Sequence, residues 1–149
     1  MRAVLQRVSH AKVSVDGETT GEIGTGILVL LGISSRDTEA DAEYLLKKMV
    51  GLRIFEDADG KMNLSLTNVN GALLIVSQFT LYGDSRNGRR PSYIDAADPA
   101  TAQQLYEFFV SEARKQVEEV ETGRFQAMMD VALVNHGPVT ILLDSEKVF

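Results

Sequence analysis

Gly24-Thr25-Gly26-Ile27-Leu28-Val29-Leu30-Leu31 is the stretch on which the fold turns. Two glycines hand over to five consecutive apolar residues with no polar alternation. A strand with one wet face alternates, whereas an unbroken apolar run bounded by turn residues belongs to a strand buried on both faces. Layers must therefore cover it, and two helices are available. Thr38-Glu39-Ala40-Asp41 reads as a helix start, with Asp41 a shorter stand-in for the usual Glu or Gln of a capping box. Ala42, Leu45, Leu46 and Met49 then give one apolar face through about residue 50. Asp98-Pro99 is a second start, Asp as cap and Pro at the first helical position. That helix should reach about residue 117 and bury Ala102, Leu105, Tyr106, Phe109 and Ala113.

Strand candidates surround this frame at residues 2–8, 12–15, 73–78, 128–134 and 139–143, and Asp16-Gly17 is a hairpin-turn signal. Asp57-Ala58-Asp59-Gly60 resembles the start of a calcium loop but lacks its later ligands, so it reads as a solvated turn. No repeat, linker or low-complexity stretch divides the chain. Two helices against many strands predict a layered α/β fold, one domain over residues 1–149.

The 149 residues are 44% apolar and 24% charged, a globular composition. No run of 18 apolar residues and no leader-like N-terminus appear, which points away from membrane insertion and secretion. With no Cys there is no disulfide or thiolate chemistry, and a reducing cytoplasm fits. His10 and His136 are far apart and sit in no ligand-spaced cluster, so neither metal nor cofactor is expected. A net charge of −6 disfavours extended tracking of nucleic-acid phosphates. Arg86, Arg89 and Arg90 are the local exception, either solvated loop residues or a grip on a few phosphates at a nucleic-acid end.

Two segments concentrate chemistry. Ser77-Gln78-Phe79-Thr80-Leu81 closes an apolar strand with a hydroxyl, an amide, an aromatic and a second hydroxyl. Asn135-His136-Gly137-Pro138-Val139-Thr140 places a Gly-Pro peptide before an apolar run, where the missing N–H interrupts pairing and leaves carbonyls bare. Thr80 is a candidate nucleophile but needs a base that the sequence does not offer. The other reading is that Ser77 and Thr80 end a strand and bond local backbone. No Gly-x-Ser-x-Gly elbow is present, and His136 reads as a loop residue.

These two motifs, in this order, resemble the signature segments of the D-aminoacyl-tRNA deacylases, and the likeness runs from Met1-Arg2-Ala3-Val4-Leu5-Gln6-Arg7-Val8 to Leu143. The resemblance implies a three-layer α/β/β fold, with two main helices on a mixed sheet and sheets joined across a homodimer. It implies hydrolysis of the ester linking a D-amino acid to the terminal ribose of tRNA, assisted by the ribose 2′-OH. Catalytic positions would be Ser77, Gln78, Phe79 and Thr80, acting chiefly through backbone N–H groups that stabilise an oxyanion. Gly137 and Pro138, joined by a cis peptide, would reach the partner's site and exclude L side chains, while glycine, having none, would pass. Phe79 fits the stereospecific branch of the family. Arg86, Arg89, Arg90 and Met129 would contact tRNA. Gln126 and Met128 depart from the Gly or Ala and the Asp common there. Two other classes stand beside this one: a binding module for RNA ends, and an esterase for small esters.

Overall fold

The computed structural model describes residues 1–149. Its eight strands are β1 (Arg2–Val15), β2 (Glu18–Ile23), β3 (Gly26–Gly32), β4 (Phe55–Glu56), β5 (Met62–Leu64), β6 (Ala72–Ser77), β7 (Val120–Thr122) and β8 (Asp130–Asp144). The helices are α1 (Glu39–Gly51) and α2 (Pro99–Arg114). The main sheet runs β2-β1-β3-β6-β7, and β8 pairs with the free side of β1. Pairing is antiparallel around β1 and parallel for β3–β6 and β6–β7, so the sheet is mixed. β2 also approaches β6 and β7, which leaves the sheet nearly closed.

The apolar run 27–31 does what its pattern demands. Ile27, Val29 and Leu31 enter a core shared with both helices, while Leu28 enters a second core with Val8, Ala11, Val13, Ile23, Leu74 and Val76. β6 splits in the same way, Leu73 and Ile75 to the helix side and Leu74 and Val76 to the other. Helix α1 contributes Ala42, Leu45, Leu46 and Met49 to the first core, and α2 contributes Leu105, Tyr106, Phe109 and Ala113. Both helices start as expected: the Asp41 carboxylate accepts the Thr38 N–H at 2.9 Å, and Asp98 accepts the N–H groups of Ala100 and Thr101, both at 3.1 Å. No helix is long and apolar enough to cross a membrane.

Four sequence expectations change. The candidates at 2–8 and 12–15 are one strand, β1, whose pairing shifts register at Arg7, at Ser9 and after Val13. Likewise 128–134 and 139–143 are parts of one long β8. In both cases the break is a bulge, which bends a strand without ending it. Helix α2 stops at Arg114; Val117 is still buried, but on the turn that follows the helix. Residues 79–82, beyond the end of β6, form a 3₁₀ turn. The Asp16-Gly17 turn is present, with φ of 51° and 82°, the left-handed pair that suits a two-residue hairpin.

Candidate active site

Where β6 ends, the chain turns through Phe79–Tyr82, and the main-chain donors there are unequally employed. Gln78 N–H bonds the Leu31 carbonyl at 2.8 Å and Leu81 N–H bonds the Gln78 carbonyl at 3.3 Å. Phe79 and Thr80 open the turn, and no preceding turn supplies acceptors for their N–H groups. The turn faces a cavity of about 750 Å³. Ser77, Gln78, Phe79 and Thr80 line it together with Tyr93, Ala97 and Pro99 and the 125–129 segment. Phe79 is 57% exposed, and its ring meets that of Tyr93 edge-on at 5.1 Å.

Thr80 is exposed, and its hydroxyl oxygen accepts a hydrogen bond from the Gln78 amide nitrogen. An amide cannot remove a proton, so this neighbour does not make Thr80 a nucleophile. Behind the cavity Tyr106 donates its hydroxyl to the Ile75 carbonyl at 2.7 Å, and burial pushes its phenol up to about 12. It is a neutral structural group at any working pH. No three His, Asp or Glu side chains converge as metal ligands would.

The 125–129 segment carries the two departures noted in sequence. Gln126 has φ of 61°, the left-handed region that favours glycine. Met128 is 90% exposed at the cavity wall. Met129, the expected tRNA contact, lines the cavity and lies over Gly123, where a Cβ would come within 2.6 Å of its sulfur.

Gly137 and Pro138 are exposed and do not line the cavity of their own chain. Their peptide is cis. They occupy a bulge: Gln6 pairs with Thr140 and Val8 with Asn135, so residues 136–139 stand opposite Arg7 alone. Two devices hold the bulge. Asn135 Oδ1 accepts the Val139 N–H at 2.7 Å and its Nδ2 donates to the Val139 carbonyl at 3.1 Å, closing the bulge's neck. Arg7, only 4% exposed, donates Nε to the His136 carbonyl and Nη1 to the Ile54 carbonyl, both at 2.7 Å. His136 thus contributes its main chain to the bulge. Sequence reasoning gave Arg7 no role in the site; its position in phase with Ala3 and Leu5, both core residues, was the available signal.

The loop arginines separate into two kinds. Arg86 grips Asp84 with Nε at 2.9 Å and Nη2 at 2.7 Å, and this hydrogen-bonded pairing holds the Asp84 carboxyl down at about 2. Arg89 and Arg90 are exposed and make no ion pair.

Comparison with known proteins places this geometry. Residues 4–144 match the family model described as D-Tyr-tRNA(Tyr) deacylase. A D-aminoacyl-tRNA deacylase of Thermosipho africanus is 60% identical over 149 residues, covering 100% of both chains. A solved structure titled c-Myc DNA unwinding element binding protein is 41% identical, covers 97% of this chain and 98% of its own, and superposes with a TM-score of 0.92. A second structure, titled a probable eukaryotic D-amino acid tRNA deacylase, shares the fold at a TM-score of 0.81 with 18% identity. Match over nearly the whole length, to the family model and to relatives alike, means that this chain belongs to the D-Tyr-tRNA(Tyr) deacylase family.

Proposed function

We propose that the protein hydrolyses the ester between a D-amino acid and the terminal ribose of tRNA, as its relatives' names describe. The observation that carries this reading is a pair of N–H groups without an acceptor, those of Phe79 and Thr80, in a segment that lines a cavity of about 750 Å³ holding no carboxylate or imidazole. Such donors suit an oxyanion that develops on the ester carbonyl as water attacks, with the neighbouring 2′-OH assisting. Fixed donors of this kind are worth about 3–4 kcal/mol each elsewhere. Ser77, Gln78 and Thr80 shape the wall, and Met129 with the aromatic Phe125 offers apolar surface to the terminal nucleoside. Arg89 and Arg90 supply charge for nearby phosphates.

Gly137 and Pro138 do not line their own cavity, so in this reading a second copy delivers them and the working unit is a homodimer with joined sheets. β8 supports that arrangement: it pairs on one side only and exposes Val134 and Leu142, at 56% and 54%. Delivered carbonyls would exclude an L side chain by overlap, and would let Gly-tRNA pass while refusing L-Ala-tRNA. In this reading the protein works in the cytoplasm, alongside aminoacylated tRNA.

Incubation with D-Tyr-tRNA, L-Tyr-tRNA and a small model ester tests the activity. D-specific release is expected. Binding without release would favour a nucleic-acid module, the role printed for the relative at 41% identity, and ester turnover independent of tRNA would favour a general esterase. Sedimentation over a dilution series tests the dimer; a fully active monomer would end the shared-site idea.

A further inference from the structure

Behind the Phe79–Tyr82 turn, on the side away from the cavity wall, stands a cation that the reaction as described does not use. Arg2 begins β1 and is the register partner of both Gly32 at the end of β3 and Asp144 at the end of β8. Its Nε donates to Asp144 Oδ2 at 3.0 Å, and the Asp144 side chain is 1% exposed. Its Nη1 donates to the Leu81 carbonyl at 3.1 Å, and the guanidinium lies over the Tyr82 ring at 4.5 Å. On the strand side the turn rests against Gly32, where a Cβ would come within 2.9 Å of Leu81 Cβ. The turn is thus clamped between a glycine and a forked cation anchored on a buried carboxylate.

The hydrogen-bond order of a 3₁₀ turn gives this clamp a route to the site. Bonds run from each N–H to the carbonyl three residues earlier. The Leu81 carbonyl held by Arg2 belongs to the same peptide as the Tyr82 N–H, which bonds the Phe79 carbonyl in that pattern. The Phe79 carbonyl in turn belongs to the same peptide as the Thr80 N–H. Two peptides therefore lie in series between the guanidinium and one of the free donors, each polarised in the sense that makes the next N–H a better donor.

Resting on the deacylase reading above, we propose that Arg2 is a positioning residue for ester hydrolysis: it fixes the turn from behind and aims and polarises the Thr80 N–H toward the developing oxyanion. Arg2 touches no substrate. Its contribution is to the transition state and not to tRNA affinity, because the charge that develops on the ester oxygen is absent in the bound ground state. Lysine cannot replace it fully, since a point charge cannot serve Asp144 and the Leu81 carbonyl with a planar fork.

Single-turnover and steady-state kinetics on D-Tyr-tRNA with the wild type, Arg2→Met and Arg2→Lys test this, with thermal melts fixing a temperature at which each is folded. Arg2→Met should lower kcat by about tenfold or more, short of the 10²–10³ that follows outright loss of a donor. KM should stay within about twofold, the range expected when ground-state binding is untouched. Arg2→Lys should fall between the two. Arg2→Lys alone carries the test should Arg2→Met not fold, because it retains an ion-pair partner for Asp144. Wild-type kcat in folded Arg2→Met or Arg2→Lys, or a loss confined to KM, would overturn the role of Arg2 while leaving the deacylase reading intact. A wild type that leaves D-Tyr-tRNA uncleaved would overturn both.

Discussion

Replacing Arg7 with methionine should weaken the fold and loosen stereochemical discrimination together. The guanidinium is 4% exposed and donates at 2.7 Å to two carbonyls, of His136 and Ile54. Hydrogen bonds from a charged donor contribute about 1.5–3 kcal/mol each, so about 3–6 kcal/mol is at stake. One term reduces it, and a further contact adds nothing. Burying the cation itself costs several kcal/mol that methionine avoids. The third contact, Nη2 to Glu56 at 3.8 Å, involves a carboxylate 56% exposed that simply rehydrates. A net loss of about 2–3 kcal/mol in urea unfolding follows, most of it from the two orphaned carbonyls. The functional consequence is local. His136 is the first residue of the bulge that presents Gly137 and Pro138, and with Arg7 gone only the Asn135 bridge at its neck remains. D-Tyr-tRNA hydrolysis should then be reduced less than the ratio of D- to L-Tyr-tRNA hydrolysis. A folded variant with wild-type discrimination, or a stability loss below about 0.5 kcal/mol, the size of an ordinary surface change, would refute the reasoning.

Thr80→Ala should keep substantial activity, since the Thr80 hydroxyl is bonded to an amide and not a base; a loss of about 4 kcal/mol or more in transition-state stabilisation with folding intact would mark a side-chain nucleophile. Neutralising Arg89 and Arg90 together should weaken tRNA binding and flatten the slope of log K against log salt by about one to two, and identical affinity at low and high salt would return them to mere solvation. Asp84→Asn should do the reverse, because Asp84, its carboxyl held down at about 2, stays ionised until the pH falls to that value and at neutral pH cancels Arg86; tighter binding with a slope steeper by up to about one is the expected readout, and no change would show that Arg86 faces away from the tRNA.

The fold was legible where local chemistry and burial coincide. Leu28 on one face and Ile27, Val29 and Leu31 on the other need two cores, and two cores exist. Asp41 and Asp98 mark helix starts because a carboxylate three or fewer residues from a free N–H is a purely local device. Legibility ended where pairing over long sequence distances decides. Exposed Ser9 and His10 look like a gap between strands, yet β8 follows β1 past them from Asp144 to Asp130 and absorbs the mismatch as bulges. β4, β5 and β7, two or three residues each, are too short to show a period. Their partners make them strands: β4 and β5 pair with each other, and β7 pairs with β6, far back along the chain.

The site was legible in its exceptions and silent in its principal atoms. Every residue but proline carries an N–H, so composition cannot say which ones are free; that depends on which carbonyls nearby strands present. Gln78 spends its donor on Leu31 and Leu81 on Gln78, while Phe79 and Thr80 between them have no main-chain acceptor. What sequence does display are the residues that permit such a backbone: Gly32, against which the turn can rest, and Pro138, which cannot pair. Gln126 is the instructive opposite. A glutamine held at φ of 61° gives up about 1–2 kcal/mol relative to the glycine that position favours, so its side chain is not there for the sake of the backbone. It lines the same cavity as the Ser77–Thr80 segment. A main-chain site of the kind proposed tolerates varied side chains around it only while its frame is rigid, and two arginines of β1 would hold that frame, Arg2 behind the turn and Arg7 behind the bulge.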